Sequence, residues 1–123
     1  MSLIKYFGLI SNPIFITVFR LREALESTIK PLDISGLSCL DVGCGDRPYE
    51  YLFKDGKYTG IDVEDSGRPI NMKKPDHFYN GTHFPFQDEE FDMVICTQVL
   101  EHVPDPLLLL MEMTRVCKRG GGW

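Results

Sequence analysis

Four residues in the first half of the chain have the types and spacing to hold a ligand: Asp41, Gly43, Gly45 and Asp62. The run Ser38-Cys39-Leu40-Asp41-Val42 is strand-like, and two glycines one residue apart follow it. Glycine lets a backbone turn tightly and lets a ligand come close, so this pattern reads as a buried parallel strand handing over to a binding turn. Asp62 closes the next strand-like run, about 20 residues on, where an acid can accept hydrogen bonds from both hydroxyls of a ribose. The chemistry implied is the grip on an adenosine-containing cofactor. The plainer alternative for Asp62 is a turn cap.

These residues need a scaffold of alternating strands and helices. Residues 1–12 predict a short helix ending at Ser11-Asn12-Pro13. From Ile14 to Lys30, Val18, Leu21, Leu25 and Ile29 recur at steps of three and four, which predicts an amphipathic helix closed by Pro31. Strands are expected at about Ser38–Val42, Tyr58–Val63, His77–Asn80 and Phe91–Thr97, with a helix over Pro48–Lys54 after the glycine turn. Asp105 and Pro106 predict the start of a last helix, Leu107–Lys118, which Gly120-Gly121-Gly122 would end. The alternation implies an α/β fold with a parallel sheet and flanking helices.

Composition narrows the partners. At 123 residues the chain forms one domain, and 43% apolar with 25% charged residues is ordinary for a globular protein. The formal net charge is -5 and Lys and Arg are not clustered, so no nucleic acid partner is expected. Cys39, Cys44, Cys96 and Cys117 form no C-x-x-C pair, so zinc lacks its ligand spacing and reduced thiols in a cytoplasmic protein are expected. The apolar N-terminus carries Lys5 and is broken at Asn12-Pro13. It has neither the length of a membrane span nor a cleavage site, which leaves peripheral membrane contact open.

The cofactor can be narrowed further. A dinucleotide fingerprint needs a third glycine where this chain has Pro48. Asp41 and Asp46 would also repel a pyrophosphate. A ligand with adenosine, a cationic centre and an amino-acid tail suits these acids better, and S-adenosylmethionine is such a ligand. A nicotinamide-dependent oxidoreductase is the less favoured alternative.

Four blocks in order and spacing then make the chain resemble the class I S-adenosylmethionine-dependent methyltransferases of the small-molecule type. They are Leu40-Asp41-Val42-Gly43-Cys44-Gly45, then Tyr58-Thr59-Gly60-Ile61-Asp62, then Phe84-Pro85-Phe86-Gln87-Asp88 running into Phe91-Asp92. The last is Gln98-Val99-Leu100-Glu101-His102-Val103 with Arg115-Val116 and Lys118 to Gly121. The resemblance implies a Rossmann-like methyltransferase fold. It implies that Gly43, Cys44 and Gly45 form the turn at the methionine end of the cofactor, with Asp41 helping to hold its amino group. Asp62 would grip the ribose and Val63 would flank the adenine. Asn80 stands where the family often has an acid, and its side-chain oxygen could accept the adenine amino group. Thr97 and Gln98 would lie beside the cofactor at the end of the fourth strand.

Methyl transfer chiefly requires alignment of acceptor, methyl and sulfur. His102 is the candidate general base, with Glu101 beside it, while ordering of their loop is the alternative role for both. The resemblance implies an unidentified small-molecule acceptor, and the Asp46-Arg47-Pro48-Tyr49 form, which resembles members found beside saccharide and lipid-linked saccharide pathways, makes such a saccharide one candidate. The family sheet has seven strands and this chain supplies four, ending at Gly122-Trp123 where a fifth would begin. The expectation is a single partial domain over residues 1–123, with a helical arm over 1–36 and the cofactor-binding half of the sheet over 37–123. The edge of the fourth strand, Met93 to Cys96, would be bare and would promote self-association. A non-catalytic cofactor-binding or assembly module is the second reading.

Overall fold

The computed structural model describes residues 14–64, 68–96 and 104–122. The helix expected over 1–12, where membrane contact was left open, lies outside them. The first described element is helix α1 (Ile14–Ile29), which stops just before Pro31. Leu25 and Ile29, one turn apart on one side of α1, are both buried.

Five strands follow: β1 (Ser38–Val42), β2 (Lys57–Val63), β3 (His77–Tyr79), β4 (Phe91–Cys96) and β5 (Cys117–Gly122). All pair in parallel in the order β3-β2-β1-β4-β5. The chain steps outward from β1 to β2 and β3, then returns to place β4 on the other side of β1. The strand order therefore reverses at β1 and β4, and in such sheets the crevice at the carboxyl ends of those strands is the usual ligand position.

Alternation along the strands separates two cores. Leu40 and Val42 of β1 join Ile61, Val94 and Cys96 under helix α2 (Pro106–Val116), which contributes Leu109, Met113 and Val116. Cys39 and Ile95 face the opposite way and pack with Leu25 and Ile29 of α1, together with Tyr49, Leu52 and Phe53. A sheet covered on both faces is the arrangement that parallel pairing requires. Among the described residues, no helix is long and apolar enough to cross a membrane.

Helix α2 starts as expected, with the Asp105 carboxylate accepting the Leu108 amide at 3.1 Å and Pro106 in the first turn. Its last turn clasps the segment that leads into β4. Arg115 donates to the carbonyls of Phe86 (2.9 Å) and Phe84 (3.2 Å) and pairs with Asp88 at 2.9 Å. Glu112 accepts the Phe84 amide at 2.7 Å and holds Arg115 at 2.7 Å. Phe84, Phe86 and Phe91 are thereby core residues, with Phe86 and Phe91 meeting edge to face at 4.8 Å.

Two expectations are corrected. The helix over Pro48–Lys54 is one four-residue 3-10 turn, Glu50–Phe53. Tyr49 at its start offers no side-chain acceptor to the free amides, and so short a piece is better served by i to i+3 bonds. The second correction concerns the end of the chain. The last helix stops at Val116, Cys117 turns extended (φ -86°, ψ 131°), and residues expected to terminate a helix instead form β5. The fourth strand is therefore not an edge: Phe91 faces Cys117 and Met93 faces Gly122, with an irregular register between them. The backbone groups of β4 find partners within the chain, and the physical ground for self-association through β4 is removed.

Candidate functional site

The glycine turn leaves the end of β1 and is pinned to the end of β2. The amides of Gly43 (φ 73°) and Cys44 both donate to the Ile61 carbonyl, at 2.9 and 3.0 Å. Gly45 (φ 54°) donates its amide to Asp62 Oδ2 at 3.1 Å. Positive φ at both glycines explains their residue type, since side chains are disfavoured there. A side chain added at Gly45 would touch only the Met72 methyl, at 3.9 Å, so there is open space beside Gly45. That is the cradle a closely approaching ligand needs.

Asp62 stands at the carboxyl end of β2 as expected, but its carboxylate is already engaged. Oδ1 accepts the Val63 amide at 2.9 Å, and Oδ2 accepts the Gly45 amide and the Arg68 guanidinium, the latter at 3.0 Å. Arg68 also reaches the Gly45 carbonyl at 3.3 Å.

Asp41 and Cys44 lie beneath the turn. Asp41 is only 1% exposed and accepts the Tyr58 hydroxyl at 2.6 Å. Burial first, and then the Asp41 carboxylate, push the Tyr58 hydroxyl well above its ordinary range and keep it a donor. Asp41, expected to help hold the cofactor's amino group, has its carboxylate buried on the Cys39 and Tyr58 face of the sheet. Cys44 is likewise buried, packed where Gly60 leaves room for it. Burial, followed by the Asp41 and Asp62 charges, pushes its thiol up to about 12, so it is an unreactive wedge.

Val63, Tyr79 and Asn80 line one cleft of about 400 Å³ at the ends of β2 and β3, where an adenine is expected. The Asn80 oxygen expected to accept an adenine amino group is engaged within its own loop. Its side-chain oxygen accepts the Thr82 amide (3.0 Å), the Thr82 hydroxyl (3.1 Å) and the His83 amide (2.8 Å), which fills its acceptor capacity. Thr97, Gln98, Glu101 and His102 lie outside the described residues.

Several supports were not visible from the sequence. Arg47 (φ 60°) pairs with Glu50 at 2.9 Å and Asp76 at 3.0 Å and lies over the Tyr58 ring. Asp46 accepts the Lys73 amide at 2.6 Å, and Asp76 accepts the Gly60 amide at 2.8 Å. The segment before β3 thus buttresses the glycine turn. Tyr58 was the one legible member: a buried acid on β1 needs a donor on the same face of the neighbouring strand. Arg47, Arg68 and Asp76 sit in irregular chain, where no periodicity marks them.

A Rossmann-like parallel sheet with a glycine turn and an acid at the end of the next strand defines the class of fold. Comparison with known proteins supplies the family. The sequence pattern of the methyltransferase domain matches residues 40–122. Demethylmenaquinone methyltransferase of Bacillus cereus (strain ATCC 10987 / NRS 248) is 31% identical over 111 residues, 78% of this chain and 47% of that protein. The enzyme of the same name from Staphylococcus haemolyticus (strain JCSC1435) is 33% identical over 98 residues, 70% of this chain and 41% of that protein. The crystal structure of a SAM-dependent methyltransferase from Aquifex aeolicus shares the fold, with a TM-score of 0.57, 20% identity, and coverage of 82% of this chain and 65% of that one. The chain belongs to the class I S-adenosylmethionine-dependent methyltransferase family, and S-adenosylmethionine is the cofactor this membership implies. The chain spans about half the length of the curated relatives it matches.

Proposed function

We propose that the chain binds S-adenosylmethionine across the carboxyl ends of β1, β2 and β3 and acts in methyl transfer to a small-molecule acceptor. The observation that carries this reading is the Gly43–Gly45 turn, with open space beside Gly45 and the Gly45 amide tied to Asp62. In this reading Gly43, Cys44 and Gly45 offer backbone to the methionine end, with the Cys44 side chain holding the turn from beneath. Asp62 takes the ribose, and Val63 forms one wall of the adenine cleft. Asn80 shapes that cleft by ordering the chain around Thr82 and His83. Asp41 serves through Tyr58, as a buried support. Thr97 and Gln98 complete the cofactor's surroundings.

When bound, the cofactor supplies a methyl group on a sulfonium, and its leaving thioether needs no acid. The residues of the chain are then required to align and to exclude water, and to take a proton only where the acceptor retains one until attack. His102, with Glu101, is proposed for that proton. The names of the curated relatives favour a quinone-type ring as the acceptor to try first. A saccharide or lipid-linked saccharide is the second class. The four cysteines are buried thiols outside any disulfide, which supports a reducing, cytoplasmic setting as part of the proposal.

The test is transfer of labelled methyl from S-adenosylmethionine to quinone and saccharide acceptors. The reading predicts labelled product with at least one acceptor, and at least about tenfold slower transfer by His102→Ala. Cofactor binding without transfer to any acceptor would favour a non-catalytic binding module. Full turnover in His102→Ala would remove the base role.

A further inference from the structure

The donors around Asp62 do not leave room for a ribose. An ionised carboxylate offers about four acceptor positions on its two oxygens. Three are taken by the Val63 amide (2.9 Å), the Gly45 amide (3.1 Å) and the Arg68 guanidinium (3.0 Å). A two-hydroxyl grip needs two positions, so one donor must leave. The two amides belong to the backbone of β2 and of the glycine turn, and losing either would undo the geometry that forms the site. Arg68 is a side chain on a flexible stem.

We propose, on the reading of the cofactor site given above, that Arg68 is a built-in competitor for the ribose position of the cofactor. Its other bonds are near the outer limit of hydrogen bonding: the Gly45 carbonyl at 3.3 Å, the Lys73 carbonyl at 3.4 Å and the Met72 sulfur at 3.5 Å. Its Nε is buried with no partner among the described residues, an unfavourable state that departure from Asp62 relieves. The side chain is nonetheless only 12% exposed, so it fills this position and does not merely hover at the surface. A cleft of about 660 Å³ adjoins it, and Glu64 on that cleft offers a second carboxylate to receive the guanidinium. The consequence is quantitative. Apparent affinity for the cofactor is lowered by the fraction of molecules in which Arg68 holds Asp62, and cofactor binding moves a positive charge from Asp62 into the cleft.

Titration calorimetry with S-adenosylhomocysteine and its 2′,3′-dideoxy analogue tests this on the full chain. Arg68→Met keeps the apolar stem and removes the donors, so it binds S-adenosylhomocysteine about tenfold more tightly than wild type, the scale of one charge-assisted hydrogen bond. The dideoxy analogue shows no such gain, because it brings no hydroxyl to Asp62. Arg68→Lys, which keeps the charge, stays near wild type. Equal or weaker binding by a folded Arg68→Met overturns the proposal, as does an equal gain with the dideoxy analogue. A second measurement needs no variant: the guanidinium nitrogen–proton signals of Arg68 shift when wild type is saturated with S-adenosylhomocysteine, and unmoved signals overturn the proposal. Absence of binding by wild type and both variants would overturn the cofactor reading itself.

Discussion

Gly60 shows how closely single residues support the cofactor turn. A methyl group there would lie 2.9 Å from the Cys44 sulfur, 3.1 Å from the Cys44 Cβ and 3.2 Å from the Tyr58 ring. Gly60→Ala therefore overpacks the base of the turn and lowers stability by about 1–3 kcal/mol, measured by urea unfolding. Adding Cys44→Ala makes room and recovers part of that loss; no recovery would show that the clash lies elsewhere. Residues of this kind were partly legible. Gly43 and Gly45 have the type that positive φ in a tight turn favours, and the Gly45 amide reaches the Asp62 carboxylate. Asp41 lies on β1 as expected and Asn80 falls just past the end of β3, but their partners decide their chemistry. Tyr58 claims one, and Thr82 and His83 claim the other. Arg68 arises from a polar stretch whose sequence has no period, so its place over Asp62 could not be read.

At the scale of elements, the strands β1 to β4 could be read to within a residue or so, because short strand-forming runs bounded by turn residues mark them. β5 could not. Its last three residues are glycines, which carry no side-chain pattern and ordinarily end helices. What makes them a strand is the waiting edge of β4, a tertiary demand that overrides local preference. Helix α2 is fixed against the segment before β4 by Glu112 and Arg115, and this clasp has a pH dependence. The Arg115 hydrogen bond, opposed by burial and aided by the Phe84 amide, holds the Glu112 carboxyl below its ordinary value of 4.5. A depressed folded value means that the stabilisation is fully present above pH 4.5 and is lost as pH falls through the folded value. Glu112→Gln should thus be less stable than wild type at neutral pH, with the gap closing in acid. Urea unfolding along a pH series reads this directly. A gap that stays constant with pH would show that the carboxylate charge contributes nothing.

At the scale of the whole molecule, both faces of the sheet are covered, and the ends of β1, β2 and β3 form a rim where glycine turn, acid and cleft converge. The two buried cores serve that rim. One holds β1 and β4 against α2, and the other holds them against α1 and the 3-10 turn that follows the glycines. The match to methyltransferases runs over residues 40–122, which is the part of the chain that builds this rim. The central claim is that the rim binds S-adenosylmethionine through Asp62. Calorimetry with S-adenosylhomocysteine tests it most directly, with NAD as the comparison ligand and Asp62→Ala as the variant. The account predicts saturable binding of S-adenosylhomocysteine by wild type, none of NAD, and affinity weakened about tenfold or more in a folded Asp62→Ala. No binding by wild type, or unchanged affinity in Asp62→Ala, would contradict it.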